Sequence, residues 1–246
     1  MTIILWTHPR SVSTAFERTV AERSDFKILH EPFSDLFYGF DKKAAAIGYK
    51  PQFDFEPSFS NIKDFILKSS NASDKLFIKD MAYHCYDYIK SDFNWLINFK
   101  PVFLIRHPEK SIPSHYKLNN KVTSEEIGYD TLFYVYQKYL ENGIEPLIID
   151  AAEFTANPEK VVAKFCDFCS LNPTKNMLNW QKEAPKEWKA WDTWHKDAAS
   201  SKKIEQKNTQ YLDNTENHPL LKSYLKHHLP FYEKLLGETK KKSIEN

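Results

Sequence analysis

The chain has 246 residues, 41% of them hydrophobic, a length and apolar share that suit one large α/β domain or two small ones around a packed core. Its 34 basic and 33 acidic side chains leave a net charge of +1, which excludes a general attraction to nucleic acid or membranes, so any anion site must be local. No apolar run approaches the ~20 residues of a membrane span, and a basic region followed by a long apolar stretch, the mark of a signal peptide, is not seen, so the expectation is a cytoplasmic enzyme.

The first predicted strand, residues 3–7, is short and uniformly apolar. It runs into Pro9-Arg10-Ser11-Val12-Ser13-Thr14 and then a predicted helix over 13–23. Such a junction is suited to an anion, because the first N–H groups of a helix are unpaired and its dipole favours negative charge. Ser11, Ser13 and Thr14 can cap the helix or donate to a phosphate, and Arg10 supplies a planar fork of donors. The pattern is not the G-x-x-x-x-G-K-[ST] loop of nucleoside triphosphatases, since it has neither the glycines nor the lysine. A serine- or threonine-capped helix with no ligand reads equally well from this segment alone.

The second strand, 26–30, delivers His30-Glu31-Pro32-Phe33. Residues 41–61 carry Pro51, Pro57 and aromatics without a clear period, the pattern of a loop or lid. A helix is predicted over 62–68, and the third strand, 76–79, delivers Lys79-Asp80 with His84 a turn later. The fourth, 102–105, delivers Arg106 and a helix over 109–118. Ser114 lies eight residues after Arg106, so both can reach one anion beside that helix start. That is a second phosphate site, of the kind a nucleotide with both 5′ and 3′ phosphates requires. A helix over 125–141, a fifth strand over 146–149 and a helix over 158–169 complete the pattern. Cys166 and Cys169 in that last helix read as apolar core residues rather than a redox or zinc pair, and with Cys85 they make no disulfide framework.

Strands alternating with helices predict βαβ units, a parallel sheet covered on both faces, and ligands at the carboxyl ends of its strands. On that reading Arg10, Glu31, Lys79, His84 and Arg106 converge on one edge. Residues 172–217, rich in Trp, Lys, Asn and Asp, pack over the site or move, and about 238–246 form a frayed tail.

The two arginine motifs together resemble the PAPS-dependent sulfotransferases, whose donor is 3′-phosphoadenosine 5′-phosphosulfate. Their 5′-phosphosulfate loop reads P-[KR]-S-G-[ST]-T, where this chain has Pro9 to Thr14. Their 3′-phosphate motif has an arginine with a serine eight residues on, as Arg106 and Ser114 stand here. The resemblance is good over residues 1–120 and weak beyond. It implies a single three-layer α/β domain over 1–246, with a parallel sheet of about five strands in a P-loop-like sulfotransferase fold. It also implies that Arg10, Ser11, Val12, Ser13 and Thr14 hold the phosphosulfate, and that Arg106 and Ser114 hold the 3′-phosphate. Val12 departs from the usual glycine. Lys202 and Lys203 are loose matches to a late basic loop over the same phosphate, and His195 could face the acceptor. The proton acceptor in such enzymes follows the second or third strand, which makes Glu31 the first candidate and His84 the second, with Lys79 assisting the sulfuryl oxygens. The expected partner is a small-molecule acceptor, with no nucleic acid and no metal; its identity and the oligomeric state stay open. The rival readings are a P-loop kinase using ATP and Mg²⁺, with Asp80 as metal ligand beside Ser13 or Thr14, and a non-catalytic nucleotide-binding module.

Overall fold

Five strands form one parallel sheet: β1 (Thr2–Thr7), β2 (Lys27–His30), β3 (Leu76–Met81), β4 (Lys100–Ile105) and β5 (Leu147–Asp150), in the order β2-β3-β1-β4-β5. The computed structural model describes residues 1–44, 49–180, 188, 201, 203–204 and 209–241. From the central strand β1 the chain passes to β2 and β3 on one side, then crosses to β4 and β5 on the other. The switch point therefore lies between β1 and β4, and the loops leaving these two strands flank the crevice where open α/β sheets bind ligands.

The apolar runs of the four inner and far-edge strands follow from burial on both faces, while the edge strand β2 is only partly buried. Alternation sends Ile4, Trp6, Ile78, Phe103 and Ile105 to one side and Ile3, Leu5, Phe77, Val102 and Leu104 to the other. The second face is covered by α1 (Ser13–Ala21), α7 (Ala151–Ala156) and α8 (Pro158–Cys169), through Phe16, Val20, Phe154 and Phe165. Cys166 and Cys169 are buried free thiols in this layer. The first face is covered by α2 (Phe59–Ala72), α4 (Pro108–Leu118), α6 (Tyr129–Glu141) and a C-terminal helix, α9 (Pro219–Lys241). Two short helices, α3 (Tyr86–Ile89) and α5 (Ser124–Ile127), also lie among the described residues. Among the described residues no helix is long and apolar enough to cross a membrane.

Three elements differ from the sequence reading. The helix predicted over 125–141 is broken at Gly128, which holds φ +70 between α5 and α6. A capping box of Thr123 and Glu126 starts the first piece, whereas the second starts at Gly128 with no side-chain cap. A single π-helical turn, Asp35–Phe40, precedes the 41–61 loop. α9 was not predicted, because Pro230 and the paired histidines at 227 and 228 interrupt its apolar stripe. It is held by packing: Leu221, Tyr232 and Leu235 are buried against the first face, and the helix continues to Lys241 through the first part of the expected tail.

Candidate active site

The loop after β1 turns through two left-handed residues, Arg10 (φ 61) and Val12 (φ 75). Val12 thus takes the conformation that glycine adopts without steric cost, and the loop keeps its sharp turn in spite of the substitution. Val12 is also the N-cap of α1 and offers no side-chain acceptor, so the first-turn N–H groups gain no cap from it. Ser13 is the first helical residue and is buried; Ser11 is buried with its hydroxyl 2.5 Å from that of Thr7, inside the turn. Thr14 is half-buried in the first turn.

The β4 loop locks onto the β1 loop. Arg106 Nη1 donates to the Arg10 carbonyl at 2.9 Å, and Arg10 Nε donates to Ser114 Oγ at 2.9 Å. The eight-residue spacing from Arg106 to Ser114 therefore serves to close one cluster: Arg10, Arg106 and Ser114 stand together at the switch point. Burial lowers the pKa of Arg106, and the Tyr211 and Tyr129 hydroxyls oppose that shift. A guanidinium in such a setting remains charged and favours an anionic partner.

Two residues that the motifs did not single out hold this cluster. His8, fully buried, accepts the Arg106 backbone N–H at Nε2 (3.0 Å), so its proton sits on Nδ1 and points to the Pro9 carbonyl, also 3.0 Å away. Burial, with the Arg106 charge adding to it, pushes the His8 pKa down to about 3, which keeps the ring in this neutral form. Tyr129 donates to the Arg106 carbonyl, accepts from Ser111 at 2.6 Å and lies 4.0 Å from the His8 ring, centroid to centroid. Nothing in the sequence near position 129 marks this role, since its partner lies 23 positions away.

A second group forms where β2 and β3 end side by side. Glu31 sits in a left-handed turn (φ 47), with its N–H on the Lys79 carbonyl at 2.7 Å and its own carbonyl accepting from Ser34 and Gln52. Its carboxylate forms an ion pair with the fully buried Lys79 ammonium and lies 3.7 Å from His30 Nε2. His30 is held in turn by Glu17, which also accepts from Trp188. Non-glycine residues in left-handed conformation gather at functional sites, where surrounding contacts hold the strain.

Asp80 is committed elsewhere. One oxygen accepts the Phe33 N–H, and the other accepts the Met81 N–H and faces His84 Nδ1 at 2.7 Å. Burial raises its pKa, and His84 works against that rise. Both oxygens are thus occupied in orienting Phe33 and His84, which is a poor starting point for the metal ligand of a kinase. The ring of His84 is fixed by Asp80, is surrounded by Phe37, Tyr38 and Tyr83, and leaves its buried Nε2 with no hydrogen-bond partner among the described residues. Tyr38 also lines a 720 Å³ groove with Asp35, Tyr49, Phe53 and Phe55, built from the aromatic-rich segment before α2.

Lys203 is exposed and pairs as an isolated antiparallel bridge with Asn179; Lys202 and His195 lie outside the described residues.

Two Arabidopsis thaliana proteins, branched-chain-amino-acid aminotransferase-like proteins 2 and 1, are each 26% identical to this chain over a 202-residue match that covers 77% of it. The chain spans only about a third of their length (33% and 34%). Among solved structures, the sulfotransferase domain of the olefin synthase of Synechococcus PCC 7002 superposes with a TM-score of 0.59, covering 96% of this chain and 94% of that one at 14% identity. The parallel sheet flanked by helices, with a sharp left-handed turn after its central strand, is thus a sulfotransferase fold. A family model of the sulfotransferase domain matches residues 1–238, and the chain belongs to that family.

Proposed function

We propose that the chain transfers a sulfuryl group from PAPS to a hydroxyl or amine of a small-molecule acceptor, in the cytoplasm and without a metal ion. The observation that carries this reading is the interlock of Arg10, Arg106 and Ser114 across the switch point. Two cationic forks held by separate loops suit a donor with phosphate at both ends of its ribose. The turn at Arg10 to Thr14 would receive the 5′-phosphosulfate, and Arg106 with Ser114 the 3′-phosphate. The donor supplies an activated sulfuryl group with a phosphate leaving group.

The chain's residues then have distinct tasks. Arg10 and the first-turn N–H groups of α1 stabilise charge building on the departing phosphate. Lys79 orients the sulfuryl oxygens, and as its ammonium turns to them, Glu31 is released to take the acceptor's proton. The groove beside Tyr38 receives the acceptor. A second reading makes His84 the base, favoured by its Asp80-fixed ring and open Nε2.

Calorimetry with 3′-phosphoadenosine 5′-phosphate and transfer assays with sulfur-labelled PAPS across phenols, alcohols, sugars and amines test this. Arg10→Ala and Arg106→Ala should each weaken nucleotide binding by about 10- to 100-fold, the ~1.5–3 kcal/mol of a hydrogen bond to a charged group. Glu31→Gln should lower turnover by about 10²–10⁴-fold and spare binding. Full turnover in Glu31→Gln with loss in His84→Ala transfers the role to His84. Mg²⁺-dependent transfer from ATP without binding of the bisphosphate nucleotide overturns the assignment.

A further inference from the structure

On the first face of the sheet, beside Tyr129, three metal-ligating side chains meet between two helices. Asp130 lies in the first turn of α6; His227 and His228 lie on α9. Their nearest ligand atoms all fall within 4.8 Å of one another. His227 Nε2 is 3.5 Å from Asp130 Oδ2, and His228 Nδ1 is 3.9 Å from Asp130 Oδ1. The two imidazole rings stand nearly perpendicular, 87° apart with centroids at 4.6 Å, so both nitrogens can face one point.

The decisive group is His228. It is fully buried, and its Nε2 lies 3.1 Å from Ser124 Oγ. That hydrogen bond leaves Nδ1 directed toward Asp130, where it has no hydrogen-bond partner among the described residues. The 3.9 Å gap is too long for a hydrogen bond. A buried imidazole nitrogen facing a carboxylate oxygen across such a gap is costly unless something lies between them. Ligands at 2.0–2.2 Å from one tetrahedral ion stand roughly 3.4 Å apart, so the 3.5 Å Asp130–His227 spacing already fits, and the widest spacing, at most 4.8 Å, closes by a rotation of the half-exposed His227 side chain. Ser124 then supplies the outer-shell contact that metal-bound histidines characteristically have. Asp130 Oδ1 also accepts the Thr131 N–H at 2.9 Å, which orients the carboxylate.

We propose that Asp130, His227 and His228 bind a divalent transition-metal ion of the zinc class, joining α9 to α6. Two imidazoles and a carboxylate suit such a borderline ion better than calcium or magnesium, which prefer all-oxygen sets. The site has three protein ligands and a fourth position open to solvent beside His227. Its role is structural: α9 was the helix with no signal of its own in the sequence, and the ion pins it one residue from Tyr129, which holds the Arg106 carbonyl. It is separate from the transfer chemistry and stands or falls without it.

The test uses the full chain, stripped with chelator and dialysed. Calorimetric titration with ZnCl₂ should show one equivalent bound, with a rise in melting temperature. Co²⁺ should give the visible absorption of a nitrogen–oxygen site of low coordination number. His227→Ala and Asp130→Asn change partly exposed side chains and should melt like the metal-free wild type. Each should weaken zinc binding by at least about 10-fold, the low end of what losing a mere supporting partner costs, and lose the melting rise. No binding at millimolar zinc, or binding undiminished in both variants, overturns the site.

Discussion

At position 12 a β-branched side chain occupies a backbone of φ 75, a conformation that costs roughly 1–2 kcal/mol for any residue with a Cβ. Val12 recovers part of this by packing against the second-face core. Val12→Ala keeps the strain and loses the packing, whereas Val12→Gly loses the packing and relieves the strain. The expected order of stability in urea is therefore glycine above alanine by about 0.5–1 kcal/mol, the reverse of their order in a helix interior. Alanine above glycine would mean that this turn carries no strain. The Glu31–Lys79 pair has a similar internal logic. Removing one partner leaves the other charge buried, at a cost of about 3–5 kcal/mol, while removing both leaves neither. Lys79→Met and Glu31→Gln should each lower stability substantially, and the double variant should regain most of the loss. Additive losses would show that the two side chains act independently.

Gly128 sets the angle between α5 and α6, and hence where Tyr129 and Asp130 point. A Cβ there would meet Tyr83 Cδ1 at 2.9 Å on a backbone already at φ +70. Gly128→Ala should cost about 2–4 kcal/mol, combining left-handed strain with overpacking. Gly143, at φ +71 with nothing within 4 Å of its Cβ position, is the internal control. Gly143→Ala should cost only the backbone part, and equal losses at both sites would remove the Tyr83 contact from the account. These elements also show what was legible beforehand. The five strands were readable because burial on both faces makes them apolar runs, and their order of appearance fixed which residues leave the sheet at one edge. Arg10, Arg106 and Ser114 were readable because spacing along a strand–turn–helix unit is a local property. Tyr129, the commitment of Asp80 to Phe33 and His84, and α9 were not. Tyr129, the Phe33 contact of Asp80 and the packing of α9 depend on partners tens of residues away, and α9 carries Pro230 in its interior, a residue that local reading counts against a helix.

For the molecule as a whole, buried neutral histidines lie beside Arg106 and Arg10, and this gives the fold an acid limit. Burial lowers His8 and His115 from the ordinary 6.5 to about 3 each, with the Arg106 charge adding to the first and the Arg10 charge to the second. Folded protein keeps both rings neutral, while the unfolded chain takes up a proton on each below pH 6.5. Their contribution is therefore whole above that pH and is lost as pH falls toward 3, at up to about 1.4 kcal/mol per pH unit for each ring. By pH 5 the two have removed about 4 kcal/mol, a large share of the ~5–15 kcal/mol that holds a typical domain. Asp35, Asp80, Glu126 and Asp150 act in the opposite sense: burial raises their pKa, so their contribution is present at low pH and fades as pH rises, which softens the lower end of the fall. Urea unfolding between pH 8 and 5 should thus show little dependence from these rings above 6.5 and a steep fall below it. His115→Gln, read by slope rather than by absolute stability, should flatten that fall by about 1.4 kcal/mol per pH unit, because one of the two proton-binding differences is gone. An unchanged slope would mean that His115 is protonated in the folded protein, which its place beside Arg10 makes costly. Burial thus holds both rings neutral, the two arginine charges add to it, and the acid sensitivity of the fold is set mainly by how deeply these rings lie beneath the candidate active site.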